Sequence, residues 1–209
     1  MPRDRSLIRF ARTVIIGVVA SASGIVGISY ALGECNAWWT EAAQHQVWLV
    51  CTDREISSQR AERRNVQFIL IRNRTQPPMR PFVAALVWPL ALESRLKDRR
   101  LPSIGVVTLA SYLLSNLRSH SVHQRLTVSA PYRLADTGAI HNRMQIPLRL
   151  FPQSLGYIIF SEAGFSADGT QAFLHVDHVC GLCGHGEDVL LSKVNGNWVI
   201  QATASTWIS

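Results

Sequence analysis

The tetrapeptide Val194-Asn195-Gly196-Asn197 constrains the fold of this chain more than any other short stretch. Asn-Gly is the strongest short signal for a two-residue hairpin loop, because both central residues of a type I′ turn need positive φ angles. A loop of this length fixes the strand register, so that Lys193 faces Trp198. We predict that one face of the hairpin is buried and apolar: Val189, Leu191, Trp198 and Ile200.

Other segments add strands and one clear helix. Ala167-Asp168-Gly169-Thr170 predicts a second hairpin, between the apolar stretches 157–165 and 171–179. Val66–Ile71 is a short β-branched run, typical of a buried strand. Ser103 is predicted to cap a helix that runs to about Arg118. One side of that helix is apolar at helical spacing: Val106, Leu109, Ala110, Leu113, Leu114 and Leu117.

The remaining stretches are harder to assign. The Trp-rich segment after Cys35 predicts a short helix and then a strand at Gln46–Thr52, followed by a polar connection, Asp53–Arg64. Phe82–Leu92 is apolar but too short to cross a bilayer, and it is interpreted as core. The fold class is therefore α+β, an antiparallel β-sheet with one or two packed helices.

The N-terminus predicts export. Met1–Arg12 carries four arginines, and Thr13–Leu32 then runs for twenty residues without a charge. Such a run rises about 30 Å as a helix, the thickness of a bilayer's hydrocarbon core, and the basic leader predicts that its own end stays in the cytoplasm. We expect residues 1–33 to be a signal peptide or a membrane-spanning signal anchor, and residues 34–209 to be a single exported domain. The protein is then anchored in the inner membrane, periplasmic or secreted.

The net charge is +7, and residues 54–100 account for it with eleven basic and four acidic side chains. Clustered arginines attract phosphate, but export removes the chain from nucleic acid and no base-stacking motif accompanies the charge. Nucleic-acid binding is therefore not favoured. The predicted partners are the membrane, through the N-terminal helix, and a protein or small-molecule ligand of unknown identity.

The stretch Leu174–Glu187 is the one segment with obvious chemical potential, and it reads LHVDHVCGLCGHGE. Because side chains alternate along a strand, His175 and His178 are expected on opposite faces of 171–179. Three interpretations compete. In the favoured one, a disulfide between Cys180 and Cys183 holds a glycine-rich turn in an oxidising compartment, and Cys35 and Cys51 form a possible second pair.

The two alternatives give the same loop a reactive role. A zinc site would use His178, Cys180, Cys183 and His185, although a second knuckle of the usual kind is lacking. A thiol redox centre would need a lowered thiol pKa, and the strand predicted after the motif supplies no helix N-terminus. We therefore expect no cofactor, with zinc as the alternative.

The C-terminal sixty residues resemble a group of exported bacterial proteins of no known activity. That group shares a G-x-I-x-x-S strand, a G-F-x-x-D-x-x-x-A hairpin, a glycine-rich loop with or without cysteines, and an ending with G-x-W and W-x-S. The corresponding stretches here are Gly156–Ser161, Gly164–Ala172, Cys180–Gly186, Gly196–Trp198 and Trp207–Ser209. A looser match extends back to Val66. The resemblance implies an exported α+β domain and no particular reaction.

The sequence contains no H-E-x-x-H, G-x-S-x-G, G-x-x-x-x-G-K-[ST] or G-x-G-x-x-G motif. The leading hypothesis is accordingly an exported cell-envelope binding or structural domain. The alternative is an envelope enzyme that uses the His/Cys loop at 175–185, as a zinc-dependent hydrolase or a thiol redox protein.

Overall fold

The predicted C-terminal hairpin is present, with the predicted register. In the computed structural model Asn195 and Gly196 have φ angles of 51° and 81°, as a type I′ turn requires. Lys193 pairs with Trp198 and Leu191 with Ile200. The face predicted to be buried does lie in the core, where Val189, Leu191 and Trp198 are buried and Ile200 packs against them.

The structure describes residues 41–60, 67–76, 98–101, 103–117, 119–122, 131–135, 153–179 and 184–209, all within one compact unit, Trp39–Ser209. Two helices and seven strands lie in these ranges: α1 (Glu41–Arg60), β1 (Phe68–Arg72), α2 (Val106–Ser115), β2 (Tyr132–Ala135), β3 (Ser154–Phe160), β4 (Gly164–Phe165), β5 (Gln171–Val179), β6 (His185–Val194) and β7 (Asn197–Ile208). The α+β class is confirmed, and so is the hairpin that joins β4 to β5.

The sheet is mixed and not purely antiparallel, which corrects one part of the prediction. Its strand order is β2-β1-β3-β5-β6-β7, and β4 pairs with part of β5. β1 runs parallel to both β2 and β3, whereas the remaining pairs are antiparallel. Parallel neighbours need long crossover connections, and such pairing leaves no short turn signal in the sequence.

Helices cover both faces of the sheet. α1 packs on one face, where Trp48 stacks on Phe160 with ring centroids 5.6 Å apart. α2 packs on the other, where Tyr112 meets the edge of Phe173 at 4.8 Å. We call the surface of the sheet beneath α1 the α1 face and the surface beneath α2 the α2 face. Because strand side chains alternate, β5 and β6 contribute residues to both faces.

Helix α1 replaces the strand predicted at Gln46–Thr52 and the polar connection predicted from Asp53. Its buried side carries polar as well as apolar groups at helical spacing: Gln44, Val47, Trp48, Cys51, Thr52, Glu55 and Ile56. The polar members bind neighbouring backbone or side chains. Gln44, for example, accepts a 3.0 Å hydrogen bond from the backbone N–H of Ala163.

Helix α2 is shorter than predicted, and its buried side is rotated. Its N-cap is Gly105 instead of Ser103, and the side chain of Gln171 accepts the 2.7 Å hydrogen bond from the Gly105 N–H. Val106, predicted to be buried, is 56% exposed. The reason is close packing on Gly164, where an added Cβ would lie 2.1 Å from the Tyr112 backbone nitrogen. The buried side is therefore Thr108, Leu109, Ser111 and Tyr112.

The predicted N-terminal membrane helix, residues 1–33, and the apolar segment 82–92 lie outside the described residues. Among the helices that are described, none combines the length and the apolar character that a membrane span requires.

A largely buried carboxyl group, that of Glu162, lies between β3 and β4, 3.4 Å from the Nδ1 atom of the exposed His120. The backbone N–H of Glu162 donates to Asn116 and its carbonyl accepts from the same amide. Burial raises the pKa of Glu162 from 4.5 to about 7, and a hydrogen bond from Thr75 partly offsets this rise. The folded protein therefore binds a proton at Glu162 more tightly than the unfolded chain does.

Glu162→Gln is expected to remove a pH dependence of stability. A raised folded-state pKa means that stability is full below about pH 4.5 and falls as the pH rises towards 7. The variant should match the wild type at pH 4 and be more stable at pH 8, by on the order of 2 kcal/mol. Urea titrations of both proteins across that range measure the difference. If the free energies of unfolding of the two proteins change with pH in the same way, Glu162 ionises normally.

Candidate metal centre

Two histidines meet where β5 ends and β6 begins. His178 and His185 are directly opposite each other in the antiparallel ladder, so their side chains lie on the same face of the sheet. Their ring centroids are 5.4 Å apart. The face is the α1 face, because Val176 and Val189, at positions of the same parity, lie in the core beneath α1.

A carboxylate from α1 completes the group. Glu55 Oε1 lies 3.3 Å from His178 Nδ1, and Glu55 Oε2 lies 3.6 Å from His185 Nε2. One ligand atom from each of the three residues falls within 4.8 Å of the other two. In the described part of the chain, no other three His, Cys, Asp or Glu residues come together in this way. We call Glu55, His178 and His185 the triad.

Two of the three ligand separations in the triad, those from the Glu55 oxygens to the imidazoles, suit a small tetrahedral ion. Zinc binds histidine nitrogen at about 2.0–2.1 Å and carboxylate oxygen at about 2.0–2.2 Å, so two ligands of one tetrahedral ion are about 3.3 Å apart. The two carboxylate–imidazole separations are close to that value. Two imidazoles and one carboxylate are also ligands that zinc accepts.

The triad is buried at one end and open at the other. The side chains of His178 and Glu55 are 1% and 6% exposed, whereas that of His185 is 33% exposed. The hydrogen bond that the His185 ring donates to the Glu55 carboxylate raises the pKa of His185, and partial burial opposes that rise. A proton and a metal ion would therefore compete for the same ring nitrogen.

An ion pair flanks the triad on the same face. Arg54 precedes Glu55 on α1, and Glu187 follows His185 by two residues on β6, so that its side chain returns to the α1 face. The guanidinium of Arg54 bonds to the carboxylate of Glu187. A second carboxylate is thus held next to the triad by a fixed positive charge.

A different polar cluster occupies the α2 face of the same strand ends. His175 bridges two buried carboxylates, with Nδ1 2.9 Å from Asp188 and Nε2 3.0 Å from Asp177. Trp207 donates its indole N–H to the same Asp177 oxygen at 2.6 Å. His175 and His178 thus lie on opposite faces, as predicted from strand alternation.

The structure brings together half of the ligands of the zinc site that the sequence offered as an alternative. His178 and His185 meet, whereas Cys180 and Cys183 lie outside the described residues, as does the disulfide predicted between them. Glu55 was not predicted. Its one sequence signal is a charge at helical spacing from Trp48 and Cys51, which becomes visible only once α1 is recognised as a helix.

Cys51 does not take part in a disulfide. It is a free, buried thiol on α1, and Cys35, its possible partner, lies outside the described residues. Burial raises the pKa of the Cys51 thiol to about 12, which keeps it protonated and unreactive at neutral pH.

No protein-family model, curated protein or solved structure significantly matches this chain.

Proposed function

We propose that this protein binds zinc in the bacterial cell envelope, with Glu55, His178 and His185 as the protein ligands. The observation that carries the proposal is the convergence of three ligand atoms from α1, β5 and β6 within 4.8 Å. Two of the three side chains are almost fully buried. Burying a carboxylate beside two imidazoles is costly unless a positive charge offsets it, and a divalent cation does so.

Zinc fits this ligand set better than magnesium or calcium do. Hard cations prefer six or more oxygen ligands, whereas the triad supplies two nitrogens and one carboxylate. The arrangement also differs from the cysteine knuckle predicted from the sequence, since an acidic side chain of α1 takes the place of the thiolates. The zinc site then joins α1 to the β5–β6 hairpin across the core.

Zinc affinity of the full chain tests the proposal. The protein is stripped of metal with a chelator and titrated with Zn²⁺ in competition with a chromophoric indicator. One equivalent is expected to bind. His120→Ala serves as the control, because the His120 side chain is exposed, pairs with Glu162 and is not a member of the triad. Failure of the wild type to compete with the indicator would refute the proposal.

A second candidate function, hydrolysis, is favoured by the open side of the triad and by Glu187. Three protein ligands plus a solvent-facing position are typical of catalytic zinc sites, which keep the fourth position for water. Glu187 lies on the same face, near His185, and its carboxylate pairs with the guanidinium of Arg54. A carboxylate in that place can accept a proton from a zinc-bound water.

Hydrolysis of 4-nitrophenyl acetate by the zinc-loaded protein tests this second candidate. The zinc-loaded wild type should exceed the metal-free protein, and Glu187→Gln should lower the rate by on the order of 10²-fold while zinc still binds. Equal rates for the loaded and metal-free proteins would leave zinc binding as the function.

The envelope location rests on the N-terminal segment, Met1–Leu32, and has its own test. Alkaline phosphatase, which is active only after export, is fused after Ser209. Activity is expected for the full chain, and it should be lost when residues 1–33 are deleted. A fusion partner that is active only in the cytoplasm should be inactive at the same position, and activity there would contradict export.

A further inference from the structure

We propose that Trp207 and Asp177, on the α2 face, are positioning residues that hold His178 and His185 at the separation a zinc ion needs. The inference rests on the proposed function of the triad and extends it through the sheet to the opposite face. Neither residue can touch the metal from there, so any effect must pass through the strands.

The positioning residues alternate with the ligands along the strands. Asp177 precedes His178 on β5, and Gly186 follows His185 on β6. Asp177 pairs with Gly186, and Gly186 pairs with Trp207 of β7. The indole N–H of Trp207 reaches across Gly186 to donate to Asp177 at 2.6 Å. One hydrogen bond therefore spans three strands directly behind the histidine pair.

The Trp207 ring also packs on both glycines that flank His185. A Cβ added to Gly186 would lie 2.0 Å from Trp207 Nε1 and 2.6 Å from Asp177 Oδ1. A Cβ added to Gly184 would lie 2.9 Å from the far edge of the same ring. Only glycine leaves room for this approach, which explains why a strand bearing a metal ligand carries glycine on each side of it.

Further hydrogen bonds fix both ends of the Trp207–Asp177 bridge. His175 bonds to Asp177 and also to the buried Asp188, which fixes the carboxylate that receives the indole. Beyond Trp207, Ser209 exchanges hydrogen bonds with Gly184: its N–H donates to the Gly184 carbonyl, and its hydroxyl accepts from the Gly184 N–H. The backbone on both sides of His185 is thus tied to β7.

The hydrogen bond between Trp207 and Asp177 is expected to keep the end of the β5–β6 hairpin paired. His178 and His185 are the last described ladder pair before the connection 180–183, where a ladder frays most easily. Fraying would separate the two imidazoles and cost metal affinity, because the ligands would have to be ordered when the ion binds. A bridge on the opposite face resists this without occupying the site.

Zinc titration of Trp207→Phe and Gly186→Ala tests the proposal. The first variant keeps a ring but removes the indole N–H, and the second pushes the ring away from β6. Each should lower zinc affinity by about 10-fold or more, as partners outside the ligand set do elsewhere. Leu190→Ala is the matched control, since Leu190 is buried on the same face of β6 further from the triad. It should destabilise the fold and leave zinc affinity unchanged.

Hydrogen exchange of the metal-free protein gives a second readout that needs no zinc. The amides of His178 and His185 should exchange faster in Trp207→Phe than in the wild type. In Leu190→Ala, exchange at these two amides should not increase more than exchange in the rest of the sheet. Wild-type zinc affinity in both Trp207→Phe and Gly186→Ala, or unchanged local exchange, would overturn the positioning role. A wild type that binds no zinc would refute the proposed function, and exchange alone would then decide the positioning role.

Discussion

His178→Ala is expected to weaken zinc binding by more than about 100-fold. Residues that merely orient metal ligands cost about 10–100-fold when they are changed, and the loss of a ligand should cost more. His178 lies at the buried end of the triad, where water cannot easily replace the imidazole. Competition titration against a chromophoric chelator measures the loss, with His120→Ala as the control.

His178 is also part of the core, so a second variant separates binding from folding. His185→Ala removes a ligand that is one-third exposed, and it should weaken zinc binding comparably with less effect on stability. Thermal unfolding without metal reports on that stability. His178 and His185 belong to both the triad and the alternative His/Cys site, so Glu55→Gln is the variant that separates the two. Zinc affinity that survives Glu55→Gln but is lost in Cys180→Ser and Cys183→Ser would favour the His/Cys site over the triad.

Trp198→Ala is expected to lower the free energy of unfolding by about 3–5 kcal/mol. The indole is buried between the hairpin and the rest of the α1-face core, with its ring 5.8 Å from that of Phe165. Its outer surface is capped by the Lys193 ammonium, 5.3 Å from the ring centroid. Chemical denaturation of wild type and variant measures the difference.

Trp198→Phe is the matched control for that measurement. The Trp198 indole nitrogen is buried and finds no acceptor among the described residues, so phenylalanine removes an unsatisfied donor and keeps much of the packing. We expect it to cost much less than the alanine variant. A loss below about 1 kcal/mol for Trp198→Ala would show that the ring is not part of the core.

The C-terminal half of the sheet could be predicted because its signals are local. Asn195-Gly196 specifies both the turn and the register of β6 against β7, and period-two alternation then assigns each side chain to a face. The same reasoning placed His175 and His178 on opposite faces. Two of the three triad residues, His178 and His185, were therefore candidates from the sequence, and strand alternation assigned His178 to its face.

The sequence predicted a short helix in the segment where α1 begins, but not its continuation to Arg60, because the buried side of α1 is not uniformly apolar. Gln44, Thr52 and Glu55 interrupt the pattern that marks an amphipathic helix. Thr52 donates to the carbonyl of Trp48 in its own helix, whereas Gln44 and Glu55 contact groups that only the fold brings near. Gln44 meets the backbone of Ala163, more than a hundred residues away in sequence. Glu55, the missing ligand, was hidden for the same reason.

The limits of helix α2 depend on contacts from distant parts of the chain. Where Ser103 was predicted to cap the helix, the side-chain oxygen of Gln171 on β5 instead accepts from the Gly105 N–H and the Thr108 hydroxyl. Gly164 admits the helix backbone so closely that the side facing the sheet carries Thr108 and Ser111 among its buried residues. Helical spacing in the sequence indicates that a helix forms. It does not indicate which side is buried, because that depends on the close contact with Gly164.

The predicted disulfide between Cys180 and Cys183 stays a prediction, and it is compatible with the triad. If the thiols are joined, mass spectrometry of the non-reduced protein should show a peptide two mass units lighter than its reduced form. Oxidised thiols cannot ligate zinc, so the bond would leave the triad as the metal site. Two free thiols together with bound zinc would restore the cysteine alternative.

X-ray absorption at the zinc edge of the loaded, full-length protein tests the central claim most directly. Zinc–nitrogen and zinc–oxygen bonds of about 2.0–2.2 Å are distinguished readily from zinc–sulfur bonds of about 2.3 Å. The triad predicts one zinc per chain, a shell of nitrogen and oxygen alone with imidazole scattering from two histidines, and loss of that signal in Glu55→Gln and His178→Ala. A shell containing sulfur, or a protein that retains no zinc at all, would contradict it.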